Sequence, residues 1–250
     1  MRQNSLILLA PARLITRSAA LALCCAATNF FAQEADLAKL RDDGIAALEA
    51  KDYQKAYTNF SNYLNQTNNQ DSVIAFNCGI CADKIKKSED AVKYFDIAVQ
   101  KKYNLVNAYI GKAGALKDLK KNDEYLATIK EGLKEVPGDK SLTKMYTTYY
   151  LNAGITAQKA GKTAAAEEAY KEILEVQKNN TNALYSLGAL KYNDATKTLA
   201  TDRDKAKTIY TEAKGYLESV AKLLTNPKQK AMLDNVNGML KQIDIQLRAE

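Results

Sequence analysis

An all-α chain, built by stacking a helix pair that recurs about every 34 residues, is the fold class the sequence predicts. Three observations predict it. Only three prolines interrupt 250 residues, and Ala, Leu, Lys, Glu and Tyr dominate over alternating β-branched runs, a composition that favours helix along nearly the whole length. A twelve-residue step from Gly to Ala and a four-residue step from Ala to an aromatic recur in phase. Lastly, the segment after Asn226-Pro227 repeats apolar residues on one helical face, as the capping helix of such a stack does.

The N-terminal segment stands apart. It holds Arg2, Arg13 and Arg17, has no acidic residue before Glu34, and carries the apolar run around Leu21 and Leu23. This pattern predicts a secretory signal peptide over residues 1–33, with cleavage after Ala27 or near Ala32. The run is too short for a membrane span, and Leu23 before Cys24 does not suit a lipidation site. Removing residues 1–33 lowers the formal net charge from +7 to +4. Lys and Glu are interspersed afterwards rather than gathered into a basic stripe, which argues against a nucleic-acid partner.

In the remaining chain, residues 34–250, Gly44…Ala56-x3-Phe60, Gly79…Ala91-x3-Phe95 and Gly154…Ala166-x3-Tyr170 share the same steps. The pattern resembles the tetratricopeptide repeat family. That resemblance implies a right-handed solenoid of antiparallel helix pairs, with a small residue at position 8 and Ala and an aromatic at positions 20 and 24. Repeats then fall near 37–70, 72–105, 106–139, 147–180 and 181–226, about five in all.

The third repeat is the weakest, with Ala113, Tyr125 and Ile129 at the three marker positions and Pro137 at the family's end-of-unit proline. Residues 140–146 are a seven-residue insertion, two helical turns, which lengthens the first helix of repeat four. The fifth carries Leu184, Leu187 and Gly188, then Ala206, Tyr210 and Ala213, with six extra residues between. The polar stretch Asp194 to Asp204 is therefore read as a longer connection. Asn226-Pro227 starts a final helix, 227–249, whose Met232, Val236, Met239, Ile243 and Leu247 share one face and form a C-terminal cap.

Two motifs tempt a catalytic reading. Cys78-x-x-Cys81 falls at positions 7 and 10 of a first helix, inward and away from the helix N-terminus where a thiolate is stabilised, so it is read as packing. A dithiol redox protein using this pair stands as a minor alternative. With no histidine and no further cysteine after the signal, a zinc site and the His-dependent nucleophile sites are excluded. Ala160-Gly161-Lys162-Thr163 lacks the preceding glycine spacing of a phosphate loop and reads as the turn between two helices. No cofactor or metal is expected, and the chain is read as no enzyme.

The resemblance further implies a concave groove lined at positions 2, 5, 9, 12 and 13 of each first helix. Positions 5 and 9 supply Arg41, Ile45, Phe76, Ile80, Ile110, Leu151, Ile155 and Tyr185, beside Gly114 and Ala189. This mostly apolar set lacks the Lys and Asn with which family members clamp a partner's terminal carboxylate. The expectation is an exported protein-binding scaffold in the periplasm or outer envelope of a Gram-negative bacterium. Its groove takes an apolar peptide or helix of a cell-envelope partner. The alternative is a self-associating structural subunit, a homo-oligomer that fills the groove itself.

Overall fold

The computed structural model describes the backbone of residues 16–249 and the side chains of residues 33–249. The first fifteen residues of the expected signal peptide thus lie outside the described residues. The described residues form α-helices, one short 3-10 turn and no strand. In order they are α1 (Thr16–Glu49), α2 (Tyr53–Gln66), α3 (Ser72–Lys84), α4 (Ser88–Gln100), α5 (Leu105–Asp118) and α6 (Asn122–Glu135). Then follow α7 (Lys140–Lys159), α8 (Thr163–Val176), α9 (Thr181–Thr198), α10 (Arg203–Leu223) and, after a 3-10 turn at Pro227–Gln229, α11 (Lys230–Arg248). Among the described residues no helix is long and apolar enough to cross a membrane.

Helix starts follow local side-chain chemistry. Asp52, Asp71, Asp139, Asn180 and Asp202 each accept a bond from a first-turn backbone N–H of α2, α3, α7, α9 and α10, between 2.9 and 3.0 Å. Tight turns then reverse the chain. The residue two past the end of α1, α3, α5 and α7 takes a left-handed conformation: Lys51 (φ 61), Lys86 (φ 62), Lys120 (φ 59) and Gly161 (φ 70). Only the last of these is the residue type for which that region is free of side-chain strain.

The chain divides into two compact units, residues 1–121 and 122–250. In the first, α1 to α4 enclose a core of Ala47, Ala56, Phe60, Leu64, Ile74, Cys78, Cys81 and Tyr94. The sixteen-residue step from glycine to ring acquires its reason here. A Cβ on Gly44 would stand 2.5 Å from the Phe60 ring, and one on Gly79 would stand 2.9 Å from the Phe95 ring. Phe95 is held from two sides, since a Cβ on Gly111 of α5 would also approach it to 2.5 Å.

In the second unit the ring of Tyr170 lies over Gly154 in the same way. There α7 runs for 20 residues, six or seven more than α2 to α5, and takes up residues 140–146 as helix. Repeat five differs from its expected form. Its Gly188 packs beneath Leu217, not Tyr210: a Cβ would meet the Leu217 side chain at 2.7 Å. The step is thus 29 residues, against the 22 expected here and the 16 of the other pairs, so Ala213 and Leu217 occupy the places expected for Ala206 and Tyr210.

The thirteen extra residues do not form a loop. Residues through Thr198 continue α9, α10 reaches 21 residues, and the connection is only Leu199–Asp202. The added turns have their own core, which is why they stay helical despite their polar sequence. Ala195 is fully buried, the Tyr192 and Tyr210 rings lie 5.9 Å apart, and the Thr196 and Tyr210 hydroxyls are 3.0 Å apart. Across the neighbouring helices Lys191 bridges Glu167 at 3.0 Å and Glu212 at 2.9 Å. At the end of the chain Val236 and Ile243 of α11 are fully buried, with Met232, Met239 and Leu247 packed against the same cluster as Leu217 and Val220.

Two measurements check this architecture. Gly79→Ala and Gly111→Ala each push a methyl into a ring that cannot retreat, an overpacking cost of about 1–3 kcal/mol against a helix-propensity gain of about 1. Both variants should unfold at lower denaturant than the parent, whereas Gly238→Ala, where a Cβ meets nothing within 4 Å, should not. Deleting residues 227–250 should speed amide hydrogen exchange chiefly in α9 and α10, because Leu217, Val220 and Leu224 lose their cover. Unchanged protection there would show that α11 is an appendage.

Candidate functional site

In the first unit the α3 and α5 helices flank an open cavity of about 530 Å³, within the range of about 300–1,000 Å³ typical of ligand sites. Its floor is apolar: Phe76 and Ile80 from α3, Ile110, Gly111 and Gly114 from α5, and the Phe95 ring from α4 beneath them. Asp83 and Lys84 border it, as do Asn104 and Asn107, where Asn107 Nδ2 donates to Asn104 Oδ1 at 2.9 Å. A Cβ added to Gly114 would meet nothing within 4 Å, so the absence of a side chain there leaves space rather than admitting a neighbour.

The structure therefore brings Phe76, Ile80 and Ile110 together. Phe76 is 9% exposed, because it stacks edge-on to Phe95 and to Tyr103 with both ring centroids 5.7 Å away. Ile80 and Ile110 are half-buried and present their remaining surface to the cavity. On α1, Arg41 is exposed and pairs with Asp42 at 2.9 Å, and Ile45 is 37% exposed; neither lines the cavity.

The other three residues belong to the second unit. Leu151 is half-buried against the cluster around Tyr170 and Leu187, and Ile155 is 38% exposed. Tyr185 packs on the α10–α11 cluster, and its hydroxyl accepts a bond from Asn235 Nδ2 at 2.8 Å. The sequence reading passed over the polar members, Asp83, Lys84 and Asn107. They stand at positions 12, 13 and 2 of their repeats, so the same repeat numbering that selected positions 5 and 9 could have found them.

Cys78 and Cys81 are free thiols, each with no exposed surface, inside the core between α2, α3 and α4. Cys78 Sγ lies 4.0 Å from the Tyr57 carbonyl oxygen, to which its thiol donates. Burial pushes both thiols up, Cys78 further because Cys81 stands beside it, and Cys81 to about 11. A redox or nucleophilic thiol needs the opposite shift and access to solvent. This environment argues against the dithiol alternative and fits the pair as packing.

Tyrosines around that core share the direction. Tyr94 is pushed up by burial and the neighbouring Cys78, and Tyr57 by burial and the bond its hydroxyl donates to Asp90 at 2.7 Å. In the second unit Tyr146 is pushed up by burial and by donating to Glu172. Every one of these groups is an acid whose ionised form the folded state disfavours. Their contribution is complete below the unfolded values and is lost as pH rises through the folded ones.

The comparisons agree with this geometry. Among solved structures the chain is similar to a TPR repeats protein from Bacteroides fragilis NCTC 9343. That protein is 42% identical over 84% of this chain and 98% of its own, with a TM-score of 0.74. A class of stacked helix-pair repeat proteins is thus defined, and the chain belongs to the tetratricopeptide repeat family.

It is also similar to a tetratricopeptide repeat protein from Parabacteroides merdae ATCC 43184, at 13% identity over 86% of this chain and 81% of that one, with a TM-score of 0.43. A third match is the TPR2AB domain of yeast Sti1 in complex with pHSP90, at 12% identity over 83% and 98%, with a TM-score of 0.36. No family model and no curated protein matches the chain.

Alkaline titration tests the thiol and tyrosine environments. Stability should hold up to about pH 8.5, the ordinary thiol value, and fall progressively from there through pH 11 and above. Alkylation of the native protein at neutral pH should be limited by unfolding. Cys78→Ala with Cys81→Ala should flatten the first part of the pH profile and cost about 1 kcal/mol per site in packing. Rapid alkylation of the folded protein at pH 7 would overturn this assignment.

Proposed function

We propose that the chain is an exported, non-enzymatic scaffold that grips an apolar segment of a protein partner in a cell-envelope assembly. The segment, an amphipathic helix or an extended peptide, lies in the groove between α3 and α5. The observation that carries this reading is the cavity itself. Three large apolar side chains from two successive first helices, Phe76, Ile80 and Ile110, converge on a space that Gly114 keeps open, with polar groups at its rim. Water gains nothing from such a floor, whereas one partner side chain buried there contributes roughly 1.5–3 kcal/mol. Membership of the tetratricopeptide repeat family supports protein binding as the class of function.

A non-enzymatic role is supported by the lack of histidine and by burial of both thiols. Export to the periplasm or outer envelope of a Gram-negative bacterium rests on the arginine-flanked apolar N-terminal segment. The N-terminal sequence of the protein isolated from its own cells tests that part, with a start near residue 28 or 33 expected.

Filling the cavity tests the groove. Gly114→Leu places a side chain in open space and replaces a helical glycine, so the variant should melt at or above the parent temperature. Affinity capture from the native envelope should then recover the partner at least about tenfold less, since losing one anchor is worth that much. Undiminished capture with an intact fold would remove the groove as the site. A change in solution mass instead would assign it to contacts between copies of the chain.

A further inference from the structure

We propose that a polar cleft in the second unit, separate from the apolar groove, binds a small zwitterion of amino-acid or dipeptide size. The cleft forms where α9 runs past the turn between α7 and α8, and it measures about 260 Å³. Gln158 and Gly161 border it on one side, with Thr163 at the start of α8; Asn193, Asp194 and Lys197 border it on the other, above Leu190. Lys197, at its edge, lies in the turns added to α9.

The side chains facing this cleft are unengaged. Among the described residues Thr163, Asn193, Asp194 and Lys197 make no side-chain hydrogen bond and no ion pair. Gln158 commits only its Oε1, which accepts from the Tyr170 hydroxyl at 2.9 Å. Asp194 and Lys197 are three residues apart on one helix face, a spacing at which opposite charges ordinarily meet. Here both charges stand open along the α9 wall of a cleft whose opposite wall offers the Gln158 amide and the Thr163 hydroxyl. Gly161 keeps the opposite wall clear, since a Cβ there would meet nothing within 4 Å.

That arrangement selects the ligand chemistry. One carboxylate and one ammonium answer a ligand carrying both charges, its ammonium toward Asp194 and its carboxylate toward Lys197. Asn193 and Thr163 answer an amide between them. At about 260 Å³, below the roughly 300 Å³ at which drug-sized ligand sites begin, the cleft suits an occupant of amino-acid or dipeptide size. An internal stretch of polypeptide brings neither terminal charge. Both charges stay partly hydrated, so the affinity is in the millimolar range.

The inference goes beyond the groove reading and stands or falls without it. The test is titration of the ¹⁵N-labelled full chain with glycylglycine, read on the Gly161 backbone amide and the Asn193 and Gln158 side-chain amides. Saturable shifts are expected at these groups. Asp194→Asn and Lys197→Gln, both surface changes that leave the melting temperature unaltered, should each weaken binding at least about tenfold, the scale of a lost charge-assisted contact. Acetate and methylammonium at equal concentrations should give no saturation. Absence of a saturable shift with glycylglycine, equal saturation by acetate alone, or retention of binding in both variants overturns the proposal.

Discussion

The close crossing of the two helices in the pairs α1–α2, α3–α4, α7–α8 and α9–α10 is the constraint on which the rest of each unit depends. A side chain on the second helix lies directly over a glycine on the first: Phe60 over Gly44, Phe95 over Gly79, Tyr170 over Gly154 and Leu217 over Gly188. Each contact seats the overlying side chain on glycine backbone and buries it almost completely. Phe95 extends the principle to the next repeat, being enclosed by Gly79 and Gly111 together. The stacking of α5 on the preceding pair is thereby fixed along with the pair itself.

Once that crossing is set, the first helices of neighbouring repeats bring matching positions side by side, and the groove follows. Phe76 and Ile80 on α3 meet Ile110 and Gly114 on α5 because equal repeat length puts positions 5 and 9 at equal heights. Glycine then serves opposite ends in one helix. Gly111 is filled by its neighbour's ring, whereas Gly114, three residues on, faces empty space. The first is needed for packing and the second shapes a surface available for binding, a distinction invisible in the letter G.

The buried thiols and tyrosines belong to the same packing logic. Cys78 and Cys81 fill inward places where a bulkier side chain would displace Tyr94 or Phe60, and burial makes them weaker acids than free thiols. A Cys-x-x-Cys motif in the helix interior is therefore chemically different from one at a helix start, where unpaired N–H groups stabilise negative charge. Position within the repeat, not the motif, decides which of the two is present.

The sequence alone determined the class of fold, because the recurrence of glycine, alanine and ring at fixed steps reflects contacts made within each helix pair, between residues sixteen apart. The same locality made the terminal helix legible in its Asn226-Pro227 start and in the spacing of Val236 and Ile243. Repeat five escaped that reading. Its polar residues 194–204 resemble a loop, yet they are held partly as helix by Tyr192, Ala195 and Tyr210, contacts that exist only once α9 and α10 have paired. The cavity on α3 and α5 and the cleft beside Gly161 were likewise decided by tertiary structure. Whether an apolar side chain is covered, and whether a charge finds a partner, depends on neighbours from other helices that no local spacing specifies.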